Sequence, residues 1–198
     1  MTKFIESIKI ENGVAHLLDL HQKRVDQTLN HFYKGSEYFS LSDALNKLQP
    51  LPDTISKCRI VYSDHIEQIE IAPYCKRSIK KLTIWENNTI DYTFKYLDRS
   101  QLTEGISKIG NPEEEIIIIK NGFVTDCSYA NLVFENDEGF FTPSTYLLNG
   151  VKRQDLLAKG IIQEISITKS DLSRFQRIHL INAMLELGDV VVTCPAAR

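Results

Sequence analysis

The sequence predicts an α+β fold of two small domains, on three observations. Phe4 to Ile10 alternates as a half-buried strand, turns at Glu11-Asn12-Gly13 and returns at Val14 to Leu18, the pattern of a hairpin. A second such pair follows at Lys57 to Tyr62 and Ile66 to Ala72, about Ser63-Asp64. Pro73 to Lys81 then breaks the pattern with a proline and a run of positive charge, and beyond it short apolar strands mix with helical stretches. The expected division is a small antiparallel-sheet domain over 1–75 and a larger α/β domain over 76–198.

Between the two hairpins, Asp19 reads as an N-cap with Gln22 in the capping-box position, and Leu18, Val25, Leu29 and Phe32 recur at helical spacing. Arg24 lies beside that stripe. A shorter helix with Leu41, Ala44, Leu45 and Leu48 inward ends at Gln49-Pro50. In the second segment, strands are expected at Leu82 to Trp85, Glu115 to Ile119, Phe123 to Thr125, Asn131 to Phe134 and Phe140 to Thr142. Turns fall at Asn121-Gly122 and Asn136 to Gly139. Arg153 to Lys159 is helical and stops at Gly160. Ile161 to Ile167, Ile178 to Ile181 and Val190 to Thr193 read as strands, with a short helix near Asp171 to Phe175.

With 198 residues, 42% of them hydrophobic and 25% charged, the chain is long enough for one sizeable core or two small ones. No apolar run reaches the length of a membrane span or resembles a leader, so a cytoplasmic protein without membrane contact is expected. A net charge of -3 gives no general attraction to nucleic acid. Cys58, Cys75, Cys127 and Cys194 form no metal-binding spacing and read as reduced thiols, so no metal is expected. Lys76-Arg77 and Lys80-Lys81 read as a solvated linker, and the five histidines, unpaired in the sequence, as structural.

One stretch carries more. Asp126 stands at the mouth of two short strands, and Asn149-Gly150-Val151-Lys152-Arg153 is a glycine turn that opens a helix. Such a turn is an anion site, because its backbone N–H groups and the positive end of the helix dipole converge on one point.

Val124-Thr125-Asp126-Cys127-Ser128-Tyr129-Ala130-Asn131, then Phe141-Thr142-Pro143, then Asn149-Gly150-Val151-Lys152-Arg153 resemble three ordered blocks of the class IV aminotransferases, pyridoxal-phosphate enzymes of fold type IV. The resemblance runs from Ile5-Glu6-Ser7-Ile8-Lys9 to Asn182-Ala183-Met184, nearly the whole chain. The family's strand before that point, with its G-D-G segment, has no counterpart here, so an N-terminally shortened version with a trimmed active-site wall is expected.

The resemblance implies roles for particular residues. Lys95, in Lys95-Tyr96-Leu97-Asp98-Arg99, falls on the lysine that carries the cofactor covalently, which puts that lysine in the larger domain. Taken alone a lysine reads as a surface charge, although Phe94 and Tyr96 favour burial here. Asp126 falls where the family usually has a glutamate facing the pyridine nitrogen, one methylene longer; the plainer reading is a turn aspartate. Arg24, in Leu18-Asp19-Leu20-His21-Gln22-Lys23-Arg24-Val25, matches the arginine that holds the cofactor phosphate, against a plainer helix-surface role. Lys152 stands where many members have threonine, so the phosphate contact there falls to the backbone N–H groups of Val151 and Lys152. Asn182 and Ala183 match a segment near the phosphate in the lyase branch.

Within the family the local matches at Cys127, Ala130, Asn149, Gln154 and Asn182-Ala183 point to 4-amino-4-deoxychorismate lyase, with branched-chain or D-amino-acid aminotransferases as the alternative. A non-catalytic binder of pyridoxal phosphate or another phosphorylated ligand is a further reading. A small-molecule amine or amino acid is the substrate so implied, and a homodimer the assembly.

Overall fold

The computed structural model describes residues 1–35 and 38–195. It forms two compact units, Met1–Cys75 with Phe94–Asp98, and Lys76–Thr93 with the chain from Arg99 onward.

The first unit is built on β1 (Phe4–Glu11) and β2 (Val14–Ala15). Asn12 and Gly13 join them with φ of 52° and 71°, the two positive angles that a tight hairpin turn requires. The return strand is shorter than the sequence suggests, because Leu17 adopts a left-handed conformation with φ 54° and α1 (Leu18–Phe32) begins directly after it. Asp19 therefore lies inside the first turn and caps nothing. Gln22 bonds Asp26 and the carbonyl of Phe39 instead of closing a capping box. Val25 and Leu29 are buried as their spacing requires. In α2 (Leu41–Asn46), Ser40 caps the Asp43 N–H and Leu41 and Leu45 turn inward, whereas Leu48, expected inside, is exposed beyond the helix end. With β3 (Ser56–Tyr62) and β4 (Ile66–Pro73) the sheet runs β2-β1-β3-β4, antiparallel throughout.

The Phe94–Asp98 segment belongs to this unit, which corrects the placement of Lys95 in the larger domain. The cause is backbone pairing to the start of β1: Tyr96 bridges Phe4, the Ile5 N–H donates to the Lys95 carbonyl at 2.9 Å, and the Leu97 N–H donates to the Lys3 carbonyl at 2.8 Å. Phe94 and Tyr96 are half-buried against the aromatic end of the core, where the Tyr96 ring stands 5.4 Å from Phe4.

In the second unit β5 (Lys81–Glu86) is followed by α3 (Ser100–Ser107), a helix the sequence did not announce, then by β6 (Glu114–Lys120) and β7 (Phe123–Val124). Next come β8 (Asn131–Asn136), β9 (Gly139–Pro143), α4 (Val151–Ala158) and β10 (Gln163–Ile165). A 3₁₀ turn (Lys169–Arg174), closed by a Thr168–Asp171 capping box, leads to β11 (Arg177–Ile181) and β12 (Val191–Thr193). Two sheets result, β5-β6-β7 and β10-β9-β8-β11-β12. The long strand expected from Ile161 shrinks to three residues, paired parallel to β9, because Ile161 faces solvent.

The basic side chains at 76–81 are solvent-exposed, as expected, and their charges are also paired. Lys76 pairs with Asp189, Lys80 with Glu113 and Lys81 with Glu114, while Arg77 meets the buried Glu115 at 3.0 Å. All four cysteines are unpaired thiols. Among the described residues no helix is long and apolar enough to cross a membrane, and no cluster of side chains could hold a metal ion.

Candidate active site

In the second unit, hydrogen bonds tie Asp126 to Leu147 and Leu148, the residues that lead into the turn at 149–150. Asp126 is buried, and its Oδ2 accepts the backbone N–H groups of Leu147 and Leu148, both at 2.9 Å. Its Oδ1 accepts Asn131 Nδ2 at 2.7 Å. These bonds use both lone pairs of Oδ2 and one of Oδ1, which leaves one acceptor position on the carboxylate. Burial pushes the carboxyl up to about 6, against the lowering effect of these N–H donors and of the Arg153 charge. Asp126 thus caps the turn, as its plainer reading has it, and keeps a site at which a cationic N–H would lower its pKa again.

Asn131 carries the bonding onward, with Nδ2 also donating to the Leu148 carbonyl at 2.9 Å. Its Oδ1 fills the space that a β-carbon on Gly150 would need. Gly150 is the N-cap of α4 with φ -64° and ψ 145°, angles open to any residue, so glycine is required there for room. No side chain caps the N-terminus of α4. The first-turn N–H groups of Val151 and Lys152 are thus of the kind that binds an anion. The Lys152 ammonium is bound to both Glu186 oxygens, at 2.8 and 2.7 Å, so only its backbone is available to that role. Arg153 is turned inward, bonded to Asn149, the Pro143 carbonyl and Glu164 and stacked 4.2 Å from the Tyr146 ring, so it braces the turn. Asn182 donates to the Tyr129 carbonyl at 3.2 Å and accepts the Met184 N–H at 2.8 Å, which makes its side chain a local brace beside the half-buried Ala183.

The first unit holds Arg24 and Lys95. Arg24 is buried on α1, and its Nε donates to Glu6 Oε1 at 2.7 Å while its Nη2 donates to Oε2. His21, one turn earlier and fully buried, donates from Nδ1 to the same Oε2 at 2.6 Å. Burial alone would raise the Glu6 carboxyl, but the Arg24 charge and the bonds from Arg24 and His21 outweigh it and hold it at about 2. For His21 burial wins and pushes the imidazole below its ordinary value despite Glu6, helped by the charges of Arg24 and Lys95. Lys95 itself is half-buried and near enough for His21 to feel its charge.

The structure therefore groups Arg24 with Lys95, and Asp126 with Val151 and Lys152. Sequence reasoning passed over Glu6 and Asn131. The signal for Glu6 was a charge on the apolar face of a strand, and for Asn131 its place five residues after Asp126. A cavity of about 350 Å³ between α1 and residues 38–42, lined by Asp19, Gln22 and Asp26, contains none of these groups.

The family described as Amino-transferase class IV matches residues 93–192. A protein of Haemophilus influenzae without an assigned role is 37% identical over 186 residues, 93% of this chain and 98% of its own. A crystal structure from Haemophilus somnus 129PT, of a protein provisionally named a 4-amino-4-deoxychorismate lyase, superposes with a TM-score of 0.88. It is 32% identical and covers 94% of this chain and 98% of that one. A hypothetical aminotransferase from Mycobacterium tuberculosis, in its PLP-bound form, shares the fold at 16% identity, with a TM-score of 0.75 over 98% of this chain and 83% of that one. The fold type IV architecture implied by the motifs is the one these structures share, and the chain belongs to the class IV aminotransferase family.

Proposed function

We propose that the protein is a pyridoxal 5′-phosphate enzyme that cleaves 4-amino-4-deoxychorismate to p-aminobenzoate and pyruvate. The observation that carries the choice of reaction is the near full-length likeness, at 32% identity, to the H. somnus protein that bears the lyase name. The matches at Cys127, Ala130, Asn149, Gln154 and Asn182-Ala183 support the same branch.

The residues present fit the cofactor. In the first unit a buried arginine, its Nε and Nη2 bonded to Glu6, is of the kind that suits a phosphate; in the second, a helix N-terminus without a capping side chain, beside a glycine with no room for a β-carbon, suits the same group, and a carboxylate with one acceptor position beyond its three bonds suits a protonated ring nitrogen. When bound, pyridoxal phosphate supplies an electron sink for charge released at the substrate carbon. In this reading Arg24 and the N–H groups of Val151 and Lys152 hold the phosphate, and Asp126 holds the proton on the ring nitrogen. Asn182 and Ala183 shape the wall beside Tyr129. Lys95 would hold the cofactor through its Nζ and, with its amine free, would take the proton from the substrate carbon bearing the amine. The ether C–O bond at the neighbouring ring carbon would break as that proton is lost, the ring becoming aromatic and the expelled enolpyruvate taking up a proton at its methylene carbon to give pyruvate. The family resemblance supports a homodimer as the assembly.

The test is an assay with 4-amino-4-deoxychorismate and no keto-acid acceptor. Equal amounts of p-aminobenzoate and pyruvate are expected. Turnover only with a branched-chain or D-amino acid plus a keto acid would move the protein to the aminotransferase branch. A protein that binds the cofactor and turns over neither would be the non-catalytic binder.

A further inference from the structure

Glu6 occupies a position where its strand should carry an apolar residue. Phe4, Ile8 and Ile10 share its face of β1 and are fully buried, and Glu6 is buried with them, opposite Ile60 of β3. A carboxylate in such a place is costly to desolvate unless it is paired, and replacing a buried ion pair by apolar residues of the same size is often neutral or stabilising. Core stability alone therefore gives no reason for the charge.

The geometry of the pair supplies one. Glu6 takes the Nε and Nη2 edge of the guanidinium with its two oxygens, and His21 Nδ1 donates to Oε2 from the other side at 2.6 Å. Two parallel bonds to one edge of a planar fork fix both the plane and the rotation of that fork, which a single bond cannot do. His21, by sharing Oε2, fixes the carboxylate in turn. We infer that Glu6 is a positioning residue that sets the Arg24 guanidinium for a phosphate ester. This rests on the reading above, in which Arg24 binds the cofactor phosphate. Two effects oppose each other in any Glu6 variant. Removing the negative charge strengthens the pull of Arg24 on an anion, while losing the two-point grip frees the side chain to rotate. In a buried site the donors of Arg24 also need an acceptor, and the amide of a glutamine presents N–H to Nη2 and to His21, so the loss of orientation decides the sign.

The experiment measures dissociation constants of the full-length protein for pyridoxamine 5′-phosphate and for pyridoxamine, neither of which attaches covalently to Lys95. Their ratio reports the phosphate contact alone, and a general loss of fold quality lowers both affinities together. Glu6→Gln is expected to reduce the preference for the phosphorylated form by tenfold or more, and Glu6→Asp, which keeps the charge but shortens the reach, by a smaller factor. If Glu6→Gln does not fold, Glu6→Asp decides. Adding Glu6→Gln to Arg24→Ala should cause no further loss of preference. An unchanged or raised preference in the Glu6 variants, with Arg24→Ala still abolishing it, would overturn the role of Glu6 and leave Arg24 standing. A preference that survives Arg24→Ala would overturn the phosphate role of Arg24 itself, and the role of Glu6 with it.

Discussion

The Asn131 side-chain oxygen fills the space that a β-carbon on Gly150 would need, and its Cγ lies 3.2 Å from that point. Asn131 cannot step aside cheaply, because its Nδ2 is bonded to Asp126 Oδ1 and to the Leu148 carbonyl.

Gly150→Ala is therefore expected to destabilise the protein by about 1–3 kcal/mol through overpacking, even though the backbone angles suit alanine. It should also weaken binding of the phosphorylated cofactor by misplacing the start of α4. Combining it with Asn131→Ala clears the space, so the double variant should lose less than the sum of the two single ones. Urea unfolding of the four proteins gives the coupling. Strict additivity would show that the two residues do not meet.

Lys152, in the first turn of α4, should behave differently from Arg24 on α1 of the first unit. The Lys152 ammonium is committed to Glu186, half-exposed at its far end, so Lys152→Ala should change stability by only about 1 kcal/mol. If the backbone N–H is what meets the phosphate, that variant should keep affinity for pyridoxamine 5′-phosphate within about threefold, since about 0.7 kcal/mol is all such a change represents. Arg24→Ala should cost at least tenfold. Equal losses would make the Lys152 side chain a phosphate ligand.

Lys95→Ala should abolish covalent attachment of the cofactor and leave the fold in place, because Lys95 is half-buried and the pairing of its segment to β1 uses only the backbone. Borohydride reduction of the wild-type protein followed by peptide mapping should find the label on Lys95. A label on another lysine would remove the assignment.

Much of this was legible where the information is local. The hairpins, the Val25 and Leu29 stripe of α1 and the turn at Gly150 follow from periodicity and glycine within a few residues. What was missed depends on partners far away in the chain. Glu6 breaks the apolar face of its strand, but the reason for that charge appears only when His21 and Arg24, on the next helix, come to lie over it. The 76–81 run reads as solvated charge, and its pairing appears only when Asp189, Glu113, Glu114 and Glu115 arrive from other elements. Lys95 looks like part of the second domain because its neighbours in sequence are, and only backbone pairing to Phe4 and Ile5 moves it. For α3 the polar composition was a weak guide, and Gly105 in its interior, a residue that discourages helix, is there because a β-carbon would come within 2.7 Å of Trp85.

Two buried carboxylates, Asp126 and Glu6, give the stability opposite responses to pH. Asp126 has a folded-state value of about 6, above the ordinary range, so the folded protein binds its proton more readily than the unfolded chain does. Its contribution is greatest below about pH 4 and is lost as the pH rises through 6. The displacement of about two units corresponds to a few kcal/mol, on the order of 3. Glu6, held at about 2, does the reverse: its contribution is present above about pH 4 and falls away as the pH drops toward 2. His21, with its value lowered, also favours the folded state above about pH 6.5 and loses that contribution below it. Asp126→Asn removes one of these three terms. As the pH falls from 7 to 4.5 in the absence of cofactor, the wild-type protein should therefore gain stability relative to Asp126→Asn, by up to a few kcal/mol, while both share the changes due to His21 and Glu6. Urea unfolding of the two proteins at both pH values measures the difference. A gap that stays constant, or that moves the other way, would mean that Asp126 is already ionised throughout and that its three N–H partners outweigh its burial.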